Sequence, residues 1–108
     1  ESDAGGFTPL GFGYDCDTSR INQYSPFFQE WDDLLSPYGL HITKGGGGAD
    51  IGPLKGQKGI LFGLSPDSQR YFDYHHTEND RIHAVHPREL ALGSAAMASL
   101  VYLLDQIP

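Results

Sequence analysis

Gly59-Ile60-Leu61-Phe62-Gly63-Leu64 is a short apolar run bounded by turn-forming residues in a chain of 108 amino acids. Such a run predicts a strand that is buried on both faces of a parallel sheet. A second strand is predicted over Leu40-His41-Ile42-Thr43, where alternation points His41 away from the Leu40 side and toward the surface. A short extended piece is expected at residues 10–14, among glycine and aromatic residues. The sequence therefore predicts two or three short strands.

Two amphipathic helices accompany these strands. The first is predicted to begin with Ser25 as N-cap and Pro26 at the first helical position, and to end at Pro37 and Gly39. Its apolar side chains recur at helical spacing, which favours core packing over a ligand-binding box of aromatic rings. These side chains are Phe27, Phe28, Trp31, Leu34, Leu35 and Tyr38.

The last helix is predicted to begin with Pro87 at its first position and Glu89 at its third. Its apolar stripe is wide, so most of this helix is expected to be buried. A short helix is also expected at residues 50–57, although Gly52 and Pro53 weaken it. Helices and strands therefore alternate, which is typical of an α/β fold.

Composition limits the class of protein. With 39% hydrophobic and 19% charged residues the chain is globular, and 108 residues suit one domain. Its net charge of −7, with only seven Lys and Arg residues, argues against nucleic acid as a partner. No apolar run approaches the ~20 residues that a membrane span needs, and no signal peptide is present. Because the chain also lacks an initiator Met, we expect a piece of a longer or processed protein.

Cys16 is the only cysteine, so no internal disulfide can form. Asp15-Cys16-Asp17 has the residue types of a metal-ligand cluster. A lone cysteine is more often part of a core. We therefore interpret Cys16 as a buried residue and the two aspartates as solvated or capping residues.

Tyr71-Phe72-Asp73-Tyr74-His75-His76-Thr77-Glu78-Asn79-Asp80 combines aromatic rings, two imidazoles and three carboxylates. Imidazole is a common zinc ligand, and a nearby carboxylate can fix the tautomer of a ligand histidine. This stretch is interpreted as part of a metal site. Spacing alone leaves an alternative open, in which His75 and His76 end a strand and pack against the neighbouring rings. The glycine run, residues 45–48, is equally open between a loose connection and backbone that passes close to a site.

The order His75-His76-Thr77-x-x-Asp80, followed by the helix start Pro87-Arg88-Glu89-Leu90, resembles the C-terminal part of the dizinc aminopeptidases. That family of zinc exopeptidases includes bacterial leucyl aminopeptidases and enzymes similar to plasma glutamate carboxypeptidase. Two more landmarks occur in the same order. Glu1-Ser2-Asp3-Ala4-Gly5-Gly6-Phe7 resembles the family's segment with a metal-binding aspartate, and Gly48-Ala49-Asp50-Ile51 resembles its Gly-x-Asp turn. Arg81 replaces the family's usual threonine, which affects hydrogen bonding in the loop rather than the ligand.

The resemblance implies a three-layer αβα domain with a mixed sheet, of which residues 1–108 form roughly the C-terminal third. It also implies two zinc ions as cofactors, one bound by Asp3 and the other by His76, and a hydroxide between them that hydrolyses peptide bonds. Asp80 is expected to orient His76 or its loop, Tyr74 to line the substrate pocket, and Asp50 to lie at the rim of the site. A turn role for Asp80 and core packing for Tyr74 are alternatives. The bridging aspartate, the other ligands and the glutamate base are expected to precede this chain.

The expected function is that of a zinc exopeptidase fragment, aminopeptidase-like, which acts on a peptide substrate in the full-length protein and is inactive alone. A carboxypeptidase or dipeptidase of the same family is one alternative, and a catalytically dead relative that serves as a binding domain is another. A homodimer and a secreted or periplasmic location are further expectations from the family. If the assignment holds, Asp3 ends the first strand and faces the same cavity as His76, roughly 5–8 Å from it.

Overall fold

The computed structural model describes residues 1–108 as three strands and three α-helices. In chain order these are β1 (Pro9–Asp15), α1 (Ile21–Leu35), β2 (His41–Lys44), β3 (Leu61–Pro66), α2 (Tyr71–Tyr74) and α3 (Pro87–Asp105). Short 3₁₀ helices occur at Ser36–Tyr38, Gly52–Gln57 and Ile82–Ala84. β1 lies in the centre of the sheet, parallel to β2 and antiparallel to β3. None of the helices is long and apolar enough to cross a membrane.

The predictions for the first two strands are largely confirmed. Residues 10–14 belong to β1, and β2 covers His41–Lys44 rather than residues 40–43. The His41 side chain is exposed, and its Nδ1 atom lies 3.5 Å from the Asp32 carboxylate. The 3₁₀ helix Gly52–Gln57 also falls within the short helix that was expected at residues 50–57.

The strand predicted at residues 59–64 corresponds to β3 (Leu61–Pro66), but the expectation of a parallel sheet is wrong for its pairing with β1, which is antiparallel. β3 is nevertheless covered on both faces. Phe62 packs into the core beneath the helices, whereas Leu61 on the other face lies against Gly47 of the glycine run. The apolar composition of β3 therefore reflects the burial of both its faces. Whether β3 runs parallel or antiparallel to its neighbour depends on the neighbouring strand.

α1 begins at Ile21, earlier than the predicted N-cap Ser25. The preceding turn is held by the Asp17 carboxylate, which accepts a hydrogen bond from the Ser19 N–H at 2.9 Å. The same hydrogen bond holds the pKa of Asp17 below its usual value. Pro26 therefore lies inside α1 rather than at its start, where its missing N–H removes one helical hydrogen bond.

The core lies on one face of the sheet. Phe12 of β1 is 1% exposed, and it shares one buried cluster with side chains of α1 and α3. Phe28 of α1 meets Phe62 of β3 edge-on with 5.5 Å between ring centroids, a geometry worth about 0.5–1.5 kcal/mol beyond area burial. The buried cluster comprises Phe12, Tyr24, Phe28, Trp31, Leu35, Leu40, Phe62, Ala96 and Leu100. The stripe of α1 is core as predicted, although Leu34 and Tyr38 are exposed.

α3 begins at the predicted proline, but the expectation that most of this helix is buried is wrong. Only Gly93, Ala96 and Leu100 are buried along its length. Leu90 and Val101 are 51% and 63% exposed. The sheet contacts one narrow stripe of α3, and the apolar side chains outside that stripe remain on the surface.

The glycine run crosses the opposite face of the sheet. There Gly13 of β1 and Gly63 of β3 are register partners, and neither has a side chain to keep the run away. A Cβ atom on Gly13 would lie 2.1 Å from the Gly45 carbonyl oxygen, and one on Gly63 would lie 2.9 Å from that of Gly46. The Gly45 N–H also donates to the Tyr14 carbonyl at 2.8 Å. The run is therefore packed backbone rather than a loose connection.

Glu1 pairs with the outer edge of β3. Its backbone nitrogen donates to the Phe62 carbonyl at 2.8 Å, and the Leu64 N–H donates to the Glu1 carbonyl at 2.8 Å. These two bonds have the pattern of a parallel strand pair. Asp3 follows this pairing by two positions, so it lies just past the end of the segment that pairs with β3, although residues 1–3 are not themselves assigned as a strand.

Candidate functional site

A cavity of about 530 Å³ lies between the N-terminal segment, α2 with the turn that follows it, and the start of α3. Asp3 and His76, which are far apart in the sequence, both line it, and so do Tyr74 and Asp80. The structure therefore brings together four of the five predicted site residues. The full lining consists of Ser2, Asp3, Gly5, Gly6, Phe7, Tyr71, Tyr74, His75, His76, Asp80, Ala84, Val85 and Leu90.

His76 is presented by a tight turn directly after α2. Its backbone is left-handed, with φ of +55°, a conformation that costs an ordinary residue about 1–2 kcal/mol. Thr77 stabilises the turn, because its hydroxyl donates to the Tyr74 carbonyl at 2.7 Å and accepts from the Asn79 N–H at 3.2 Å. Such strain persists where the surroundings over-determine the conformation, and it clusters at functional sites. The exposed His76 ring is thereby directed to the cavity.

His75 packs against rings, as expected from the sequence. Its imidazole stacks on Tyr71 at 4.5 Å and on His76 at 3.9 Å between centroids. Tyr74 also packs, with its ring 6.1 Å from that of Phe7, while it lines the cavity. The two interpretations of Tyr74, as packing residue and as pocket wall, are therefore compatible.

Asp3 is exposed and lies on a segment with a closely defined path. Gly5 has φ of +82°, and a Cβ atom there would lie 2.7 Å from the Phe7 ring. A Cβ atom on Gly6 would lie 3.1 Å from the Val85 side chain. The two glycines therefore let the segment turn closely over Phe7, which is buried, before the chain enters β1.

Asp50 does not line the cavity, contrary to the prediction that it lies at the rim. Its backbone N–H donates to Glu1 Oε2 at 3.1 Å, and the Ile51 N–H donates to the same oxygen at 2.9 Å. Gly48, with φ of +109°, allows this approach, because a Cβ atom there would lie 2.2 Å from the Glu1 carboxyl carbon. The Gly-x-Asp turn therefore binds the Glu1 carboxylate through two backbone N–H groups. Glu1 lies two positions before Asp3 in the sequence.

Glu1 is a residue that sequence reasoning missed. Its second carboxylate oxygen, Oε1, is buried and has no hydrogen-bond partner, so the turn binds the carboxylate through Oε2 alone. Its partners are backbone amides nearly fifty positions away, and residue type gives no signal of such a contact. The only hint in the sequence is that Glu1 and Asp50 both belong to segments that resemble landmarks of the family.

The other histidines have separate positions. His83 lies in the 3₁₀ helix Ile82–Ala84 and lines a different cavity with Asp73 and Glu78. His86 is the N-cap of α3, where its Nδ1 atom accepts from the Arg88 N–H at 3.1 Å. Neither residue lines the cavity of Asp3 and His76, and the sequence did not predict the capping role of His86.

The donor types on the cavity fit zinc, which is bound by carboxylate oxygen and imidazole nitrogen. Asp3 supplies the first type and His76 the second. The chain holds no group of three or more His, Cys, Asp and Glu side chains arranged to bind a metal ion. Metal binding by Asp3 and His76 therefore stays a prediction that needs further donors.

Two comparisons with known proteins bear on this site. Carboxypeptidase Q of Bos taurus is 29% identical to the chain over 110 residues, which cover 99% of the chain and 22% of that protein. The crystal structure of a Peptidase M28 precursor from Shewanella amazonensis matches with a TM-score of 0.74 and 26% identity, over 93% of the chain and 22% of that protein. These matches support the M28 zinc exopeptidase family. No family model matches the chain.

The match to the M28 structure confirms the fold class. The chain is a mixed α/β domain consistent with a C-terminal segment of an αβα exopeptidase domain. The chain spans about a fifth of the length of each of these two proteins. The residue-by-residue roles at the cavity are not tested by either match.

Proposed function

We propose that this chain is part of a zinc-dependent exopeptidase with aminopeptidase-like activity. The observation that carries the proposal is the shared cavity of Asp3 and His76, which lie far apart in the sequence and match two separate landmarks of the resembled family. The similarity to Carboxypeptidase Q and to an M28 peptidase supports the coarser statement of a peptidase-like hydrolase.

In the proposed site Asp3 would hold one zinc ion and His76 would hold the other. When bound, the zinc ions would polarise the scissile carbonyl and lower the pKa of a water molecule. Tyr74, Val85 and Leu90 form the apolar side of the cavity, where they would exclude water and contact a side chain of the peptide. Asp80 lies on the same cavity, where its carboxylate can orient the His76 ring.

Two side chains cannot complete the coordination of two zinc ions, because each ion takes about four ligands. The remaining donors and the general base therefore come from outside residues 1–108 in this proposal. Activity belongs to the longer protein, and the homodimer and the secreted or periplasmic location remain predictions for it.

The test uses the full-length protein with Asp3→Ala, His76→Ala and, as control, His83→Ala. Hydrolysis of leucine anilide and of dipeptides is measured together with zinc content by elemental analysis. We expect the first two variants to lose activity by about two orders of magnitude or more, with lower zinc content, because each removes a metal ligand. His83→Ala should stay within a few-fold, since this exposed side chain lies on another cavity.

Equal losses in all three variants would contradict the ligand assignment. A wild-type protein that binds no zinc and cleaves neither substrate would instead support the alternative, a catalytically dead relative with a binding role. Preference for dipeptides over leucine anilide would favour the carboxypeptidase or dipeptidase alternative.

A further inference from the structure

Glu89 joins three parts of the chain at one oxygen atom. It lies in the first turn of α3, and its side chain is 16% exposed. Its Oε1 atom accepts hydrogen bonds from the Thr8 hydroxyl at 2.7 Å and from the Arg70 guanidinium at 2.5 Å. We call this contact of Thr8, Arg70 and Glu89 the Glu89 junction.

Each hydrogen-bond donor of the junction adjoins a segment that carries a proposed zinc ligand. Thr8 directly follows Phe7, on the segment that begins with Asp3 and its neighbours. Arg70 directly precedes α2, whose last turn leads to His76. The junction therefore ties the two ligand-bearing segments to the same helix end.

The contacts continue from the junction into the cavity wall. The Arg70 guanidinium lies over the Phe7 ring, 5.0 Å from its centroid. The Phe7 ring in turn lies 6.1 Å from that of Tyr74. Phe7 and Tyr74 both line the cavity, so a displacement of Arg70 would be transmitted to the wall between Asp3 and His76.

We infer that Glu89 is a positioning residue for the metal site, which sets the separation between Asp3 and His76 without touching either. This inference rests on the proposed function. A metal site tolerates displacements of only about 0.5 Å in its ligands. Both segments are hydrogen-bonded to the same helix, α3, and both contacts are made through the side chain of Glu89.

The charge of Glu89 supports the same role. The hydrogen bonds from Thr8 and Arg70 hold the pKa of Glu89 below its usual value, and the bond to Glu89 raises the pKa of Arg70. Both groups are therefore ionised at neutral pH. Hydrogen bonds between ionised groups are shorter and stronger than neutral ones, which suits a contact that must hold a distance.

The experiment compares Glu89→Ala, Thr8→Val and a control, Asp105→Ala, in the full-length protein. Asp105 is an exposed carboxylate at the other end of α3. Zinc affinity of the metal-free protein is measured by competition with a chelator, and hydrogen exchange of backbone amides is measured without metal. We expect Glu89→Ala to weaken zinc binding about tenfold or more, as loss of an outer contact to a metal site does. Thr8→Val, which keeps the shape and removes one bond, should weaken it less, and Asp105→Ala should leave it unchanged.

Exchange should also accelerate together at residues 5–8 and 71–77 in Glu89→Ala, while α1 keeps its protection. If Glu89→Ala and Thr8→Val bind zinc like the wild type, the inference is overturned, even where thermal stability falls. If the wild type binds no zinc, the proposed function fails instead. The exchange data then still decide whether the junction holds the two segments, and unchanged exchange at either segment would overturn it.

Discussion

Replacing Gly13 with alanine would place a methyl group where the glycine run crosses the sheet. The added Cβ atom would lie 2.1 Å from the Gly45 carbonyl oxygen and 2.8 Å from that of Gly46. Carbon and oxygen atoms rarely approach closer than about 3.3 Å, so the run must move by roughly 1 Å. That movement breaks the hydrogen bond from the Gly45 N–H to the Tyr14 carbonyl.

The energetic cost follows from these contacts. Overpacking a filled site costs about 1–3 kcal/mol, and one lost backbone hydrogen bond adds about 0.5–1.5 kcal/mol. The lower conformational entropy of the unfolded alanine variant offsets only about 0.4–1 kcal/mol of this loss. The free energy of unfolding should therefore fall by about 2–3 kcal/mol, which lowers the melting temperature of a domain of this size by roughly 10–20 °C.

The assay is thermal and urea unfolding of the chain, followed by circular dichroism. Gly52→Ala and Gly56→Ala are matched controls, because an added Cβ atom meets nothing within 4 Å at either position and neither backbone is left-handed. Both controls should stay within about 0.5 kcal/mol of the wild type. If Gly13→Ala unfolds at the same temperature as these controls, the glycine run does not rest on the sheet and the reasoning is refuted.

The isolated 108-residue chain with added zinc should not hydrolyse leucine anilide, because two ligand side chains cannot complete the site; turnover that follows the purified chain would contradict this. Stability should fall more steeply on acidification in the wild type than in Glu89→Gln, as measured by urea unfolding at several pH values. The folded-state pKa of Glu89 lies below its ordinary value of 4.5, so its contribution is present above about pH 4.5 and is lost as the pH falls through the folded pKa; parallel curves would contradict this. Cys16 should react with a disulfide reagent more slowly than free cysteine, because burial and the carboxylates of Asp15 and Asp17 raise the pKa of its thiol; an equal rate would argue that the thiol is fully solvated. His86→Ala should cost about 0.5–1 kcal/mol in unfolding free energy through loss of the α3 N-cap, and an unchanged midpoint would show that the cap contributes nothing.

Local signals in the sequence predicted most elements of the fold. The alternation around His41 and the proline start of α3 correspond to the observed β2 and α3. The start of α1 was placed wrongly because two start signals compete, and the turn at Asp17 precedes the one at Ser25-Pro26. The direction of β3 could not be predicted from its own residues, since its pairing with β1 depends on where the connecting chain returns.

Some residues of the candidate site were also predicted from the sequence, and others were not. Asp3 and His76 were predicted from a resemblance that fixes their order, and the structure places both on one cavity. Asp50 was placed wrongly, because its backbone rather than its carboxylate makes the contact, to Glu1. Glu89 was recognised only as a helix-start residue. Its contacts with Thr8 and Arg70 join positions distant in the sequence, and they become visible only in three dimensions.

The central position of β1 has a consequence for the order in which the chain can fold during synthesis. Within residues 1–108, β1 is made before β2 and β3, which are its two neighbours in the sheet. The hydrogen bond from Thr8, just before β1, to Glu89 can form only after α3 has been synthesised. Contacts between distant positions slow folding, because the intervening chain must close before they form. The segment from Asp3 to Thr8 therefore completes its contact with Glu89 only after α3 has been made, although it is synthesised earlier than α3.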